Sequence, residues 1–289
     1  MAAAAHTQGL QNPFTSMIRA SAFPTPTQLR GAASARSLIA CGALALWAAA
    51  SACAQEAPLL TPFTAASGTQ APAPWHFSSL PNKTPTRFEV VQQDGRRVLK
   101  VDADESYGNL VHRLQAPLTS ATTLAWRWRV GQFVEGADLR TRAGDDGAAR
   151  ICVFFDLPTQ RLPLVERTRL ALARSAVGED VPSEALCYVW DATQPKGSWL
   201  VNAYTRRMRM VVLESGPTSA GGSGWVTERR NLLEDYQRAF GDEAGGLVPD
   251  IAAVVISADA DNTHGHGVAY FSDVALKSPP LTPPAGTAE

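Results

Sequence analysis

Between residues 86 and 130 apolar and polar side chains alternate with a period of two, broken by turn residues. Residues 86–92, 97–102, 109–114 and 123–130 each read as a half-buried strand, because neighbouring side chains on an extended chain point to opposite faces. In the last of these Leu124, Trp126, Trp128 and Val130 share one face and Arg127 and Arg129 the other. Asp94 and Gly95, between the first two runs, suit the two left-handed positions of a tight hairpin. Further along, 150–156 and 185–190 are almost continuously apolar, which predicts central strands covered on both faces. Runs at 207–213, 251–257 and 268–276 complete the set. Two segments break the rhythm. Residues 162–176 carry Leu, Arg and Ala at helical spacing with Gly178 as a stop, and 228–240 read as a short helix ending at Gly241. Strands at regular spacing with turns between them predict an all-β fold: an antiparallel two-layer β-sandwich of jelly-roll type with two short helical insertions. There is no repeat and no parallel βαβ alternation.

The first 54 residues do not follow this pattern. Arg30 and Arg36 precede an apolar run at 38–50, small residues follow at 51–54, and Gln55 and Glu56 resume a polar chain. This is the order of a secretory signal peptide, assigned to residues 1–54. The part before Arg30 is long for such a segment, which points to a downstream start near Met17. Cleavage after Ala54 leads to export, most simply to the periplasm; lipidation at Cys53 is the alternative, with Ala50 in place of the usual leucine. Residues 55–74 are rich in Pro, Thr, Ala and Ser and read as a flexible linker. Residues 75–277 form one β-sandwich domain, and the proline-rich 278–289 reads as a disordered tail. No run in the mature chain approaches membrane-spanning length. With a net charge of −1 and no basic run, nucleic acid is not an expected partner.

Two cysteines remain beyond the signal, Cys152 and Cys187, both in apolar runs. An oxidising compartment would allow a bridge closing roughly 35 residues, worth about 3–4 kcal/mol. Two buried thiols fit the pattern equally well.

Several ordered motifs resemble a bacterial family, domain of unknown function 3047: LAWRWRV (124–130), GDDGAARICVFF (144–155), LCYVWD (186–191), LESG (213–216), ERRNLLEDY (228–236) with Phe240 and Gly241, and DADNT (259–263). The resemblance implies one coherent domain over nearly all of the mature chain and brings no activity or catalytic residues. A looser, fold-level resemblance is to jelly-roll carbohydrate-binding modules, through 268–276, 97–101 and the Tyr107–Gly108 pair. Fold alone does not fix function.

Asp259, Asp261 and Asn262 place side-chain oxygens at near-alternate positions of one turn, a set that suits a hard cation such as calcium; the same residues also favour tight turns unaided. His264 and His266 flank Gly265, and with His112 they make a three-histidine zinc site conceivable on paper. Asp145, Asp146, Asp156, Asp191 and Glu214 lie at strand ends, where two facing acids could serve hydrolysis, or where they cap turns and pair with arginines. Trp199 and Trp225 sit in polar loops and offer flat apolar faces to a ligand. These features predict an exported, non-catalytic binding module for a saccharide or envelope component. Asp145, Asp146, Asp191, Trp199 and Trp225 are its ligand groups, and Asp259, Asp261 and Asn262 hold a structural calcium. The competing readings are a glycan-acting hydrolase or lyase using rim carboxylates, and a structural or interaction protein of the envelope.

Overall fold

The computed structural model describes residues 58–177, 181–217 and 224–279; the expected signal peptide and lipidation site, and the tail from residue 280, lie outside them. Twelve strands are present among the described residues: β1 His76–Ser78, β2 Arg87–Gln93, β3 Arg96–Asp104, β4 Tyr107–Ala116, β5 Thr123–Gln132, β6 Gly147–Asp156, β7 Glu184–Asp191, β8 Trp199–Val201, β9 Met208–Ser215, β10 Val226–Asn231, β11 Asp250–Asp259 and β12 His266–Lys277. Two helices, α1 Leu164–Val177 and α2 Leu232–Ala244, interrupt them. The strands form a seven-stranded sheet, β1-β4-β11-β6-β7-β9-β8, and a five-stranded sheet, β10-β5-β12-β3-β2. This is the jelly-roll-type sandwich that the alternation predicts. One pairing departs from the antiparallel expectation: β7 and β9 run parallel, and β8 folds back beside β9 at the sheet edge.

The period-two face of β5 points inward. Trp126 and Trp128 are buried and meet Tyr188 and Trp190 of the facing sheet at ring separations of 5.2 and 5.6 Å. The continuous apolar runs at β6 and β7 are central strands, as expected. Their inner faces join the core between the sheets, and their outer faces build a second cluster from Val111, Cys152, Cys187, Met210 and Val255, closed by Leu139. Cys152 and Cys187 stand directly opposite each other across β6 and β7 and form a disulfide.

Two expectations need correction. Residues 58–74 are not a loose linker: Leu60, Phe63 and Ala66 are buried in the core with Trp75. The amide of Thr61 donates to Nε2 of His112 at 3.1 Å, and the Trp75 indole donates to the Thr61 carbonyl at 2.8 Å. Three well-spaced apolar side chains suffice to pin a segment whose overall composition reads as flexible. The second helix also starts later than its pattern suggests. Residues 226–231 pair with β5 as an edge strand, and Asn231 then caps α2 by accepting from the amides of Leu233 and Glu234. The helix runs through Gly241 and ends at Gly245 in the left-handed conformation.

Helix α2 is more than an insertion. Leu232, Tyr236 and Phe240, four residues apart, bury one stripe against the core. Its polar groups are paired with the seven-stranded sheet. Tyr188 donates to Asp235 at 2.8 Å while Arg230 makes a two-pronged contact to the same carboxylate. Tyr236 donates to Glu184 at 2.7 Å, and Arg207 neutralises that acid. Burying these carboxylates is tolerable because each has both a cation and a hydroxyl donor.

Candidate functional site

Of the sequence-predicted acids, Asp145 and Asp259 meet at the buried Arg150, whereas Asp156 is exposed at the end of β6. The Arg150 guanidinium lies 3.3 Å from Asp145 and 3.2 Å from Asp259. Asp145 also accepts from Asn202 Nδ2 at 2.7 Å. Asp146 takes the backbone amides of Asn262 and Thr263 and the Thr263 hydroxyl, at 3.2, 2.7 and 2.7 Å. Asp261 pairs with Lys83, and Asn262 donates to the Arg142 carbonyl and to the Tyr204 hydroxyl. Asp191 closes its own turn by accepting from the amides of Thr193 and Gln194. Asp145, Asp146 and Asp191 are thus buried and hydrogen-bonded to internal partners.

Arg150 stands where a bound cation would neutralise Asp145 and Asp259. Among the described residues no group of three or more His, Cys, Asp or Glu side chains could share a metal ion. Burial, more than the neighbouring acids, pushes the Asp259 carboxyl up to about 7. The three histidines are not brought together. His112 is internal and edge-on to Trp75 at 4.9 Å, and its pKa is lowered by burial. His264 faces Glu105 at 3.3 Å, and His266 faces Asp102 at 2.9 Å. The glycines that follow His264 and His266 serve packing: a Cβ on Gly265 or Gly267 would meet Val134 at 2.7 or 2.6 Å.

The two loop tryptophans separate. Trp199 lies on β8 under the guanidinium of Arg238, 4.7 Å from the ring centre, and packs against the core. Trp225 lies just before β10 and faces the outer side of the five-stranded sheet. Arg127 and Arg129, the polar face of β5, approach its ring at 5.4 and 5.6 Å. Arg129 also lies 4.5 Å from the ring of Tyr270, its cross-strand partner, and Tyr270 pairs on its other side with Lys100. Aromatic and cationic side chains thus alternate across neighbouring strands on a solvent-facing sheet surface. Beside this row is a hollow of 210 Å³ lined by Gln93, Asp94, Arg96, Arg127, Trp225 and Ser272. The Trp225 indole donates to Asp94 at 3.3 Å, and the left-handed turn at Asp94 and Gly95 carries that carboxylate to the rim. An indole wall with an acid, an amide and guanidinium forks around it can stack on an apolar ring face and hydrogen-bond to hydroxyls at its edge.

Sequence reasoning missed a second feature. Glu228 of β10 is opposite Trp126 in register, so it points inward. There it meets Glu214, at the end of β9, and the Trp128 indole. Burial first, and Glu214 second, push the Glu228 carboxyl up to about 7. Lys196 holds the other side of Glu214 at 2.5 Å. The signal for Glu228 was the alternation of Val226, Glu228 and Arg230 with Thr227 and Arg229, which the helical reading of the segment concealed. Glu228 stands on the edge strand of the five-stranded sheet and Glu214 on the penultimate strand of the seven-stranded one.

Residues 73–275 match DUF3047, described as a protein of unknown function. No curated protein sequence matches the chain. Among solved structures, the xyloglucanase domain of NopAA, a type three effector from Sinorhizobium fredii in complex with cellobiose, is similar at 8% identity and a TM-score of 0.39, over 71% of this chain and 93% of that one. A family 12 xyloglucanase from Bacillus licheniformis gives 10% identity and a TM-score of 0.32, over 69% and 98%. Endoglucanase 3 from family GH12 of Trichoderma harzianum gives 10% and 0.34, over 72% and 100%. Likenesses of this depth carry no argument about activity.

Proposed function

The chain belongs to the DUF3047 family, and we propose that it is an exported, non-catalytic binding module for a saccharide or related envelope component, seated at Trp225 on the outer face of the five-stranded sheet. The observation that carries this reading is the hollow where Trp225 meets Asp94, Arg96 and Arg127. Sugars combine apolar C–H faces with a rim of hydroxyls, and this hollow offers both an aromatic wall and planar, charged hydrogen-bonding groups. The disulfide supports an oxidising destination, since such bridges persist outside the cytosol.

A glycan hydrolase would need two carboxyl groups about 5–10 Å apart across a cleft. Glu228 and Glu214 are neighbours inside the sandwich, and neither lines the hollow at Trp225. The test is affinity electrophoresis of the mature chain through gels holding a panel of bacterial and plant polysaccharides. Retardation by at least one glycan is expected, with Trp225→Ala weakening it about tenfold, the equivalent of ~1.4 kcal/mol. Free migration through every gel, or retardation unchanged in Trp225→Ala, would overturn the proposal.

A further inference from the structure

Helix α1 is an unusual roof. None of its described side chains is buried, and Leu164, Val165 and Leu172 are 60–73% exposed. A 14-residue helix is marginal on its own and ordinarily gains its stability by packing an apolar face. The inward face of α1 instead borders open space. One cavity of 460 Å³ lies between the helix, through Leu170 and Ala173, and the 202–207 loop. A second, of 320 Å³, lies by Arg174. Val181 and Pro182 line both.

The two cavities have a common floor. Arg113, Ala253, Phe154, Ala185 and Met208 are successive cross-strand partners on β4, β11, β6, β7 and β9, and each lines one cavity or the other. Four interstrand steps make this row about 19 Å long. Its middle is apolar, and cations mark both ends: Arg113 and Arg174 line the smaller cavity, and Arg169, Arg206 and Arg207 the larger. Arg169 and Arg206 line the larger cavity and are 72% and 80% exposed. Arg169 touches Glu166 at 3.3 Å, and the contact of Arg206 with Glu243 is 3.9 Å long. Neither exposed pairing ties up its guanidinium fork strongly.

We propose that the space beneath α1 binds a single-chain fatty acid, its alkyl chain lying along the Ala253–Phe154–Ala185–Met208 floor and its carboxylate held by Arg169 and Arg206. The alkyl chain supplies the apolar surface that α1 lacks, and the carboxylate supplies the planar partner that suits an arginine fork. This site is on the opposite sheet from the Trp225 hollow and stands independently of it.

The test is isothermal titration of the mature chain with dodecanoate below its micellar concentration, with dodecanol as the uncharged control. Saturable binding with one ligand per chain is expected, about tenfold tighter for dodecanoate than for dodecanol. The exposed double variant Arg169→Ala/Arg206→Ala should erase that difference. Leu170→Trp, which fills the cavity from the helix side, should abolish binding while leaving the unfolding transition cooperative. Absence of saturable binding, equal affinity for the alcohol, or undiminished binding by a folded Leu170→Trp variant would each overturn the proposal.

Discussion

Glu228→Gln should make the protein more stable at alkaline pH, although it removes a charged group. In the native state Glu228 keeps its proton up to about pH 7, chiefly because it is buried and secondarily because Glu214 is beside it. In the unfolded chain it ionises near its ordinary value of 4.5. The native state therefore binds the extra proton between these limits. Stability is greatest below the unfolded value, falls as pH rises through the window, and has lost its full share above about 7. A shift of about 2.5 units is worth at most ~3.4 kcal/mol. Glu228 is only partly buried, so solvent screening reduces this to about 1.5 kcal/mol. Glutamine cannot ionise and can donate its amide N–H to Glu214 at every pH. The variant should match the wild type near pH 4.5 and exceed it by about 1.5 kcal/mol at pH 8. Urea unfolding at five pH values between 4.5 and 8.5 measures this through the midpoint at constant slope. Asp259 adds a decline of the same sign, because burial raises it to about 7 as well; Glu228→Gln should flatten the profile in part, and adding Asp259→Asn should flatten it further. A variant with the wild-type pH slope, or one less stable than wild type at pH 8, would refute the reasoning.

Three further outcomes follow from the fold. Replacing both Cys152 and Cys187 by alanine removes a cross-link between residues 35 apart and should cost about 3–4 kcal/mol; thermal unfolding of the wild type with and without reductant checks it, and unchanged melting would contradict the bridge. Asp146→Ala leaves two amides and a hydroxyl of the 262–263 turn without their acceptor and should cost about 2–4 kcal/mol in urea unfolding, whereas an exposed acid such as Glu105 should cost under about 0.5 kcal/mol. Because Arg150 and Lys83 already engage Asp145, Asp259 and Asp261, millimolar calcium added after chelation should leave the melting temperature unchanged; a clear rise would mean that the native state binds the ion.

The strands were legible because one physical rule governs them: a half-buried sheet alternates, and a central strand does not. Thus β5 and β6 could be read nearly residue by residue. The short edge strands β1 and β8, with three residues each, leave too few positions for a period to emerge. β10 was hidden because Glu228, Arg229 and Arg230 have good helix propensity, and only pairing with β5 makes them a strand. The candidate site was legible in part. Trp225 was marked by an indole in a polar, glycine-containing loop, and it does line a hollow. The aspartates were marked by chemistry, which also offered arginines as their partners; which arginine meets which acid depends on the register of β6 against β11, and so Arg150, at the head of its apolar run, engages Asp145 and Asp259. Long-range pairing of this kind leaves no periodic trace. The same is true of the cavities under α1, which depend on a helix and five strands meeting at one face.

The most direct test of the binding reading is two-dimensional NMR of the tryptophan indole groups during titration with an oligosaccharide of the retained polysaccharide. The chain has six tryptophans beyond Trp47, each with one indole N–H signal. The Trp225 resonance should shift saturably as ligand is added, while those of the buried Trp126 and Trp128 stay in place. A Trp225 resonance that does not move at saturating ligand would contradict the assignment of the binding face.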